Sequence, residues 1–156
     1  MTEYERACRE IANLKAHYFY CLDHKDFDGF DKLVADDAEI DFRNVTSSGD
    51  ASAMPQIDGD AGLMTGSEFK AFLRDVVPGL VTVHQGYMPE FSDPGDGTMQ
   101  CIWGMEDNVW FPEGSDPAYL HGWGHYHERY RREGDGWIID RLRLTRLKVI
   151  LSGTAP

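Results

Sequence analysis

Apolar side chains recur at intervals of three and four residues near the start of the chain. This spacing puts them on one face of a helix with 3.6 residues per turn, so the pattern predicts an amphipathic helix from Glu3 to about Leu22. The apolar positions of this helix are Ala7, Ile11, Leu14, Tyr18 and Leu22.

Two shorter helices are predicted before the main run of strands. The segment from Asp28 to Ala35 has acids near its start and apolar residues on one side, as short helices do. A third helix is predicted over 67–77, with Ser67 as its N-cap and Pro78-Gly79 as its stop. Between these helices, the sequence AEIDFRNV predicts a strand.

Residues 45–65 are rich in Gly, Ser and Asp, and they predict a long loop. A loop of this length in a small domain is either mobile or functional, for instance as a lid over a pocket.

After Leu80 the pattern becomes typical of strands, which are predicted over 80–91, 98–111, 118–132 and 136–150. The turn sequences SDPGDG, PEGSDP and REGDG separate them, and such short connections favour an antiparallel meander. Helices at the start and strands at the end indicate an α+β domain whose helices cover one face of a curved sheet.

The composition narrows the classes of partner. A chain of 156 residues with 42% hydrophobic content is expected to form a single domain over 1–156. The net charge of −12 argues against nucleic acid or an anionic membrane as a partner. The start of the chain does not resemble a secretory signal and no stretch has the length of a membrane span, so a cytoplasmic location is expected. The three cysteines are expected to be free thiols.

One acid interrupts an apolar strand face. Every second residue from Met99 to Phe111 points to the same side of the predicted strand, and Asp107 is the one charged residue among them. A bulge at Glu106-Asp107 could turn the carboxylate outwards. Alternatively, Asp107 lines an interior cavity, either in a proton-transfer role or as the ionised partner of a histidine.

The histidines and arginines of the strands allow more than one interpretation. His84 lies in an apolar strand beginning, and His121, His125 and His127 share the face opposite Tyr126, Glu128 and Tyr130. Alternating histidines can bind a metal, but a polar outer or subunit-contact face is the simpler interpretation, and no metal is predicted. The row Arg141, Arg143 and Arg146 is most simply a solvated edge, although an arginine in a cavity could bind a carboxylate or phenolate.

Two long segments carry a family resemblance. The run IANLKAHYFYCLDHKDFDGFDKLVADDAEIDF and the closing GHYHERYRREGDGWIIDRLRLTRLKV resemble SnoaL-like proteins of the nuclear-transport-factor-2-like superfamily. The resemblance implies a cone-shaped α+β roll, in which a strongly curved, mainly antiparallel sheet and three N-terminal helices enclose an apolar pocket.

Within this family the chain most resembles the cofactor-free dehydratases that act on scytalone and on bile acids. This implies a catalytic set of Tyr18, Asp23, His84 and Asp107, in which Asp23 fixes the Tyr18 hydroxyl and Asp107 orients or charge-balances His84. The chain departs from the scytalone-type pattern at Leu22 and Phe42, where those enzymes have the tyrosines that hold the catalytic water.

The expected function is that of a cofactor-independent lyase acting on a hydroxylated, hydrophobic, aromatic or polycyclic molecule, with loss of water or formaldehyde. The alternatives are an isomerase or cyclase that uses the same base, and a non-catalytic small-molecule-binding or oxygenase-associated subunit. Neither a cofactor nor a metal is expected, and the predicted assembly is a homodimer or homotrimer. The predicted substrate-binding residues are Phe42, Trp103, Met105, His121, Tyr126, Tyr130 and Arg143.

Overall fold

A computed structural model describes residues 1–43 and 62–154. The main elements, in chain order, are α1 (Glu3–His24), α2 (Phe27–Phe30), β1 (Val34–Asp41), β2 (Leu63–Thr65), α3 (Gly66–Val76), β3 (Val81–Ser92), β4 (Met99–Trp110), β5 (Tyr119–Glu133) and β6 (Gly136–Ser152). A single 3₁₀ turn, Val77–Gly79, joins α3 to β3.

Helix α1 begins and ends at well-formed caps. The side chains of Thr2 and Glu5 form a capping box that satisfies backbone N–H groups of the first turn. The helix ends where Lys25 adopts a left-handed conformation, with φ of 62°. Its buried face includes the predicted apolar residues Ile11 and Tyr18, so the amphipathic helix predicted from the sequence is confirmed.

The second helix is shorter than predicted. Helix α2 covers only Phe27–Phe30, and β1 already begins at Val34. The apolar residues Leu33 and Val34 are buried, as predicted for the inner side of this segment, but Val34 is the first residue of β1 and Leu33 lies in the turn before it. The β-branched Val34 suits the pleated backbone better than it suits a helix.

The segment before α3 also differs from its prediction. Residues 63–65 were expected in the loop but form β2, which pairs antiparallel with β1. The N-cap of α3 is Thr65 rather than Ser67: the Thr65 hydroxyl accepts the backbone N–H of Glu68, whose side chain bonds back to the Thr65 N–H. The remainder of the predicted loop and lid lies largely in residues 44–61, outside the described residues.

The strands form one six-stranded sheet in the order β2-β1-β6-β5-β4-β3. The strands β3 to β6 form the predicted antiparallel meander, and β1 joins its edge by pairing parallel to β6. Helix α1 packs on one face of this sheet, here called the concave face, where Tyr18 and Phe19 contact Tyr126 of β5. The opposite face is called the convex face. The α+β class predicted from the sequence is confirmed.

None of the helices in the described ranges combines the length and the apolar content needed to cross a bilayer.

The corrected cap of α3 gives a test of the local structure. We expect Thr65→Ala to lower the free energy of unfolding by about 1 kcal/mol, because the Glu68 N–H loses its acceptor. Ser67→Ala is the matched control, since Ser67 lies inside the helix and is not its cap. Urea unfolding of both variants measures the difference; an equal loss in the two would contradict the assignment of the cap.

Candidate active site

A histidine and a carboxylate form a pair where the end of α1 meets β3. Asp23 lies in the last turn of α1, and its Oδ1 is 2.7 Å from Nδ1 of His84. The other oxygen, Oδ2, accepts the backbone N–H of His84 at 3.0 Å, and the Thr82 hydroxyl donates to Oδ1 at 2.9 Å. One strand thus supplies three hydrogen bonds that fix the Asp23 carboxylate.

These bonds also keep Asp23 ionised and decide which ring nitrogen of His84 faces it. Burial raises the pKa of Asp23, but hydrogen bonds from the His84 side chain and backbone, the charge of His84 and the Thr82 hydroxyl together lower the pKa below its ordinary value. An ionised carboxylate can only accept hydrogen bonds, so Nδ1 of His84 carries the shared proton. In the neutral form of the ring, Nε2 carries the lone pair with which imidazole acts as a base.

A cavity of about 450 Å³ lies between α1 and β3 beside this pair. The Phe19 ring is nearly parallel to the His84 ring, with an interplanar angle of 8° and centroids 6.2 Å apart. Gly86 makes this approach feasible, because a Cβ at that position would lie 2.5 Å from the Phe19 ring. Phe19, Tyr87 and Trp103 give the cavity aromatic walls, which suit a flat ligand, while His84 and Gln85 supply polar groups. The cavity is lined by Ala12, Lys15, Ala16, Phe19, His84, Gln85, Gly86, Tyr87 and Trp103.

Two buried tyrosines lie next to Phe19. The ring centroids of Tyr18 and Tyr126 are 6.2 Å apart, and burial is the main cause that raises the pKa of each phenol above its ordinary value. Neither hydroxyl has a hydrogen-bond partner among the described residues. Every fully buried polar side-chain atom of those residues does have a partner, so these two hydroxyl oxygens are not fully buried. Each phenol therefore stays protonated and keeps a hydrogen to donate, but neither tyrosine is among the residues that line the cavity.

The structure corrects two predicted pairings. Asp23 was expected to fix the Tyr18 hydroxyl, but its carboxylate is bonded to Thr82 and His84. Asp107 was expected to orient His84; it is the cross-strand neighbour of His84, yet its carboxylate binds Arg146. The orienting carboxylate of the histidine is therefore Asp23.

The position of Asp107 decides whether its carboxylate points outwards at a bulge or into the interior. The pairing of β4 with β5 runs without a register shift from Met99 to Trp110, so there is no bulge at Glu106-Asp107. Only 5% of Asp107 is exposed. The alternative in which a bulge turns the carboxylate outwards is wrong.

Arg146 is the partner that the sequence interpretation missed. Its Nη1 and Nη2 donate to Oδ1 and Oδ2 of Asp107 at 2.8 and 2.7 Å, in the bidentate geometry that favours guanidinium–carboxylate pairs. Gly122 of the intervening strand leaves space for the pair, because a Cβ there would lie 2.4 Å from both Arg146 Nη1 and Asp107 Oδ1. The sequence does contain an indication that Arg146 points inwards, because it continues the alternation of the buried Leu142 and Leu144 along β6.

A second buried ion pair was also missed. Lys15 of α1 and Glu128 of β5 are each almost fully buried, and Lys15 Nζ lies 2.6 Å from Glu128 Oε1. The spacing of Lys15 from Ile11 and Tyr18 places it on the apolar stripe of α1, which is the signal that identifies it in the sequence.

The predicted substrate-binding residues divide between the two faces of the sheet. Four of them are buried on the concave face: Trp103, Met105, Tyr126 and Tyr130. Phe42 is partly buried and packs edge-to-face against Phe69, with ring centroids 5.1 Å apart.

Two predicted substrate-binding residues do not share this placement. His121 lies on the convex face, where its Nε2 is 2.5 Å from Glu106 Oε1 and its ring contacts Trp123. The side chain of Arg143 is 62% exposed and lies 3.7 Å from Asp41. Neither lines the cavity beside His84, because both alternate out of phase with the buried residues of their strands.

The comparison with known proteins agrees with this architecture. Residues 5–143 match the SnoaL-like domain. The chain belongs to the SnoaL-like family. "Probable cyclase FGR4" of Gibberella zeae is 26% identical to this SnoaL-like chain over 137 residues, which cover 88% of the chain and 89% of that protein.

Solved structures resemble the SnoaL-like chain over nearly its whole length. The Kfla4162 protein from Kribbella flavida gives a TM-score of 0.76 at 24% identity and covers 95% of each chain. A type 2 hexachlorocyclohexane dehydrochlorinase, LinA, gives 0.72 at 17% identity and covers 98% of this chain and 95% of its own. These similarities confirm the predicted cone-shaped fold.

The buried Asp107–Arg146 pair gives a stability prediction. We expect Asp107→Ala to lower the free energy of unfolding by about 3–5 kcal/mol, because the buried guanidinium loses its counter-charge. Asp37→Ala is the matched control: it removes the partner of Arg131 at the surface, where solvent screens the pair, and should have little effect. Urea unfolding compares the two, and equal small losses would contradict the importance of the buried pair.

The lowered pKa of Asp23 predicts how stability responds to acid. At a pH between the pKa of Asp23 in the folded protein and its ordinary value of about 3.9, the folded protein binds fewer protons than the unfolded chain. The ionised carboxylate therefore stabilises the fold above a pH of about 3.9. This stabilisation is lost as the pH falls through the pKa of the folded state. Wild type should therefore lose more stability than Asp23→Asn when the pH is lowered from about 5 to about 2. Urea unfolding across this range measures the difference; parallel pH profiles would contradict the assignment.

Proposed function

We propose that this SnoaL-like protein is a cofactor-independent lyase that eliminates water, or formaldehyde, from a hydroxylated aromatic or polycyclic small molecule. The Asp23–His84 pair is the observation that carries the proposal. It combines an ionised carboxylate, a histidine with Nε2 free to accept a proton, and a cavity lined by the same histidine. These are the features of a general base.

The proposed elimination needs only groups of this chain and the substrate. Nε2 of His84 takes a proton from a carbon next to a carbonyl, or from a phenol conjugated to the leaving group. The released electron pair forms the new double bond while the bond from carbon to the leaving hydroxyl breaks. The imidazolium then returns its proton to the departing oxygen, so that water leaves and His84 is neutral again. When formaldehyde is lost instead, His84 takes the proton of the hydroxymethyl O–H, the C–C bond to the rest of the substrate breaks as the C=O bond forms, and the imidazolium returns the proton to the carbon left behind.

Asp23 supports both halves of this cycle. Its hydrogen bond to Nδ1 holds the tautomer that exposes the basic nitrogen, and its negative charge stabilises the imidazolium once the proton has moved. A positioned acid–base group of this kind typically contributes about 10²–10⁴-fold in rate.

Tyr18 and Tyr126, which pack against Phe19 of the cavity wall, are the proposed hydrogen-bond donors to the reacting oxygen. Their raised pKa values keep both phenols protonated, and neither hydroxyl is bonded to another described residue. A donor that is already oriented in a water-poor site stabilises a developing oxyanion without the cost of reorganising solvent.

A second candidate is an isomerase or cyclase that uses the same base. The 26% identity to a Gibberella zeae protein named a probable cyclase favours it. In this case His84 removes the same proton, but the intermediate is reprotonated or closes a ring instead of expelling a group. The two candidates differ in product mass, since isomerisation conserves mass and elimination does not.

Turnover by site variants tests the assignment. A panel of hydroxylated aromatic and steroid-like compounds is incubated with the protein, and mass spectrometry identifies the product. With a compound that is turned over, we expect His84→Gln to lower kcat by at least about 10²-fold, since the base is lost. His24→Gln, which replaces an exposed histidine one residue from Asp23, is the matched control and should retain activity.

The product and the variants separate the candidates. Loss of water or formaldehyde supports the lyase, and a product of unchanged mass supports the isomerase or cyclase. Full activity of His84→Gln would refute both. Binding of the compounds without any turnover would favour a non-catalytic binding protein.

A further inference from the structure

The buried Lys15 has no role in the proton transfer proposed above, yet its surroundings are unusual for a lysine. Its side chain is 1% exposed, and Nζ lies 3.8 Å from the ring centroids of Tyr18 and Tyr126 and 4.6 Å from that of Phe19. Contact with ring faces stabilises a cation that has lost water. Lys15 also lines the cavity beside His84, and Phe19 is a neighbour of both residues.

The counter-charge of Lys15 is held by a residue that does not line the cavity. Glu128 Oε1 accepts from Lys15 at 2.6 Å, and the Tyr130 hydroxyl donates to Glu128 Oε2. Trp103 Nε1 in turn donates to the Tyr130 oxygen at 3.0 Å, which fixes the direction of that hydroxyl. Glu128 is not among the residues that line the cavity, whereas Lys15 is.

The pair is therefore an oriented dipole. A lone ammonium would be costly to bury, and pairing with Glu128 offsets this free-energy cost. Burial lowers the pKa of Lys15, and the Glu128 carboxylate opposes this effect. Because Lys15 lines the cavity and Glu128 does not, the positive end of the dipole is the end next to the proposed base. Fixed charge in a water-poor site acts on an anion more strongly than the same charge in water.

We propose that the Lys15–Glu128 pair stabilises the phenolate or enolate formed when His84 removes a proton, and that the substrate accordingly carries an oxygen that becomes anionic during the reaction. This inference rests on the proposed function and adds to it the residue pair that stabilises the anion formed from a phenol or from a carbonyl compound. Lys15 acts through the electric field of its positive charge, and it forms no covalent bond to the substrate.

A coloured phenol tests the proposal without knowledge of the natural substrate. The probe is 4-nitrophenol, which ionises near neutral pH and whose anion absorbs visible light. Absorbance titration of the bound probe gives the ratio of the affinities for phenolate and phenol. We expect wild type to favour the phenolate, and Lys15→Met combined with Glu128→Gln to reduce this ratio at least tenfold, which equals a rise of one unit in the pKa of the bound probe.

Two further variants complete the design. Lys70→Met removes another buried lysine, paired with Asp36 and remote from the cavity lining, and should leave the ratio unchanged. Tyr130→Phe keeps both charges but removes the donor that anchors Glu128, so the carboxylate neutralises Lys15 more fully and the ratio should fall. This variant also tests the proposal if the double variant does not fold, which thermal unfolding reveals.

The outcomes distinguish this inference from the lyase proposal. The role of Lys15 would be overturned by an unchanged ratio in the folded double variant. If the double variant does not fold, an unchanged ratio in Tyr130→Phe would overturn it. Failure of wild type to bind the probe, or its preference for the neutral phenol, would also overturn it. The role of His84 is judged separately, by turnover of His84→Gln. A lyase whose His84 is essential but whose phenolate preference does not depend on Lys15 would retain the first proposal and lose this one.

Discussion

Charge neutralisation on the concave side of the sheet is the constraint on which the structure depends. An ion transferred from water into an apolar interior is costly unless an opposite charge and hydrogen bonds compensate it. Three ion pairs on this side join separate elements: α1 to β3, α1 to β5, and β4 to β6 across the intervening strand. The charges therefore fix how the helix sits on the sheet. These pairs are Asp23–His84, Lys15–Glu128 and Asp107–Arg146.

The pairs differ in what they leave available for chemistry. Asp107 and Arg146 bind each other through two hydrogen bonds, and Gly122 leaves space for them. The role of these contacts is chiefly structural. The Asp23–His84 pair uses one ring nitrogen and leaves the other for a ligand. A single fold can thus keep its interior electrically balanced while one imidazole remains a base, which is the physical basis of the proposed activity.

The sequence predicted most of the architecture, because hydrophobic periodicity reports directly on which side of an element is buried. Helix α1 and the four long strands were recognisable in this way. The errors fell where local signals compete. Ser67 is a good capping residue, but the first free N–H groups of α3 lie nearer Thr65. The second helix was drawn too long because Leu33 and Val34 are buried, and burial alone does not separate a short helix from the start of a strand.

The alternation of apolar residues also indicates by itself which polar residues lie inside, although the prediction was made from it only for Asp107. Asp107 shares its strand face with apolar residues, and the same rule, applied to β6 and α1, identifies Arg146 and Lys15. Only the tertiary structure decided their partners. Asp107 and His84 are adjacent in strand register, yet the carboxylate reaches past β5 to Arg146, while the histidine turns to Asp23 at the end of a helix. Periodicity fixes the direction of a side chain relative to its own element, whereas the choice among buried opposite charges depends on how separate elements are packed together.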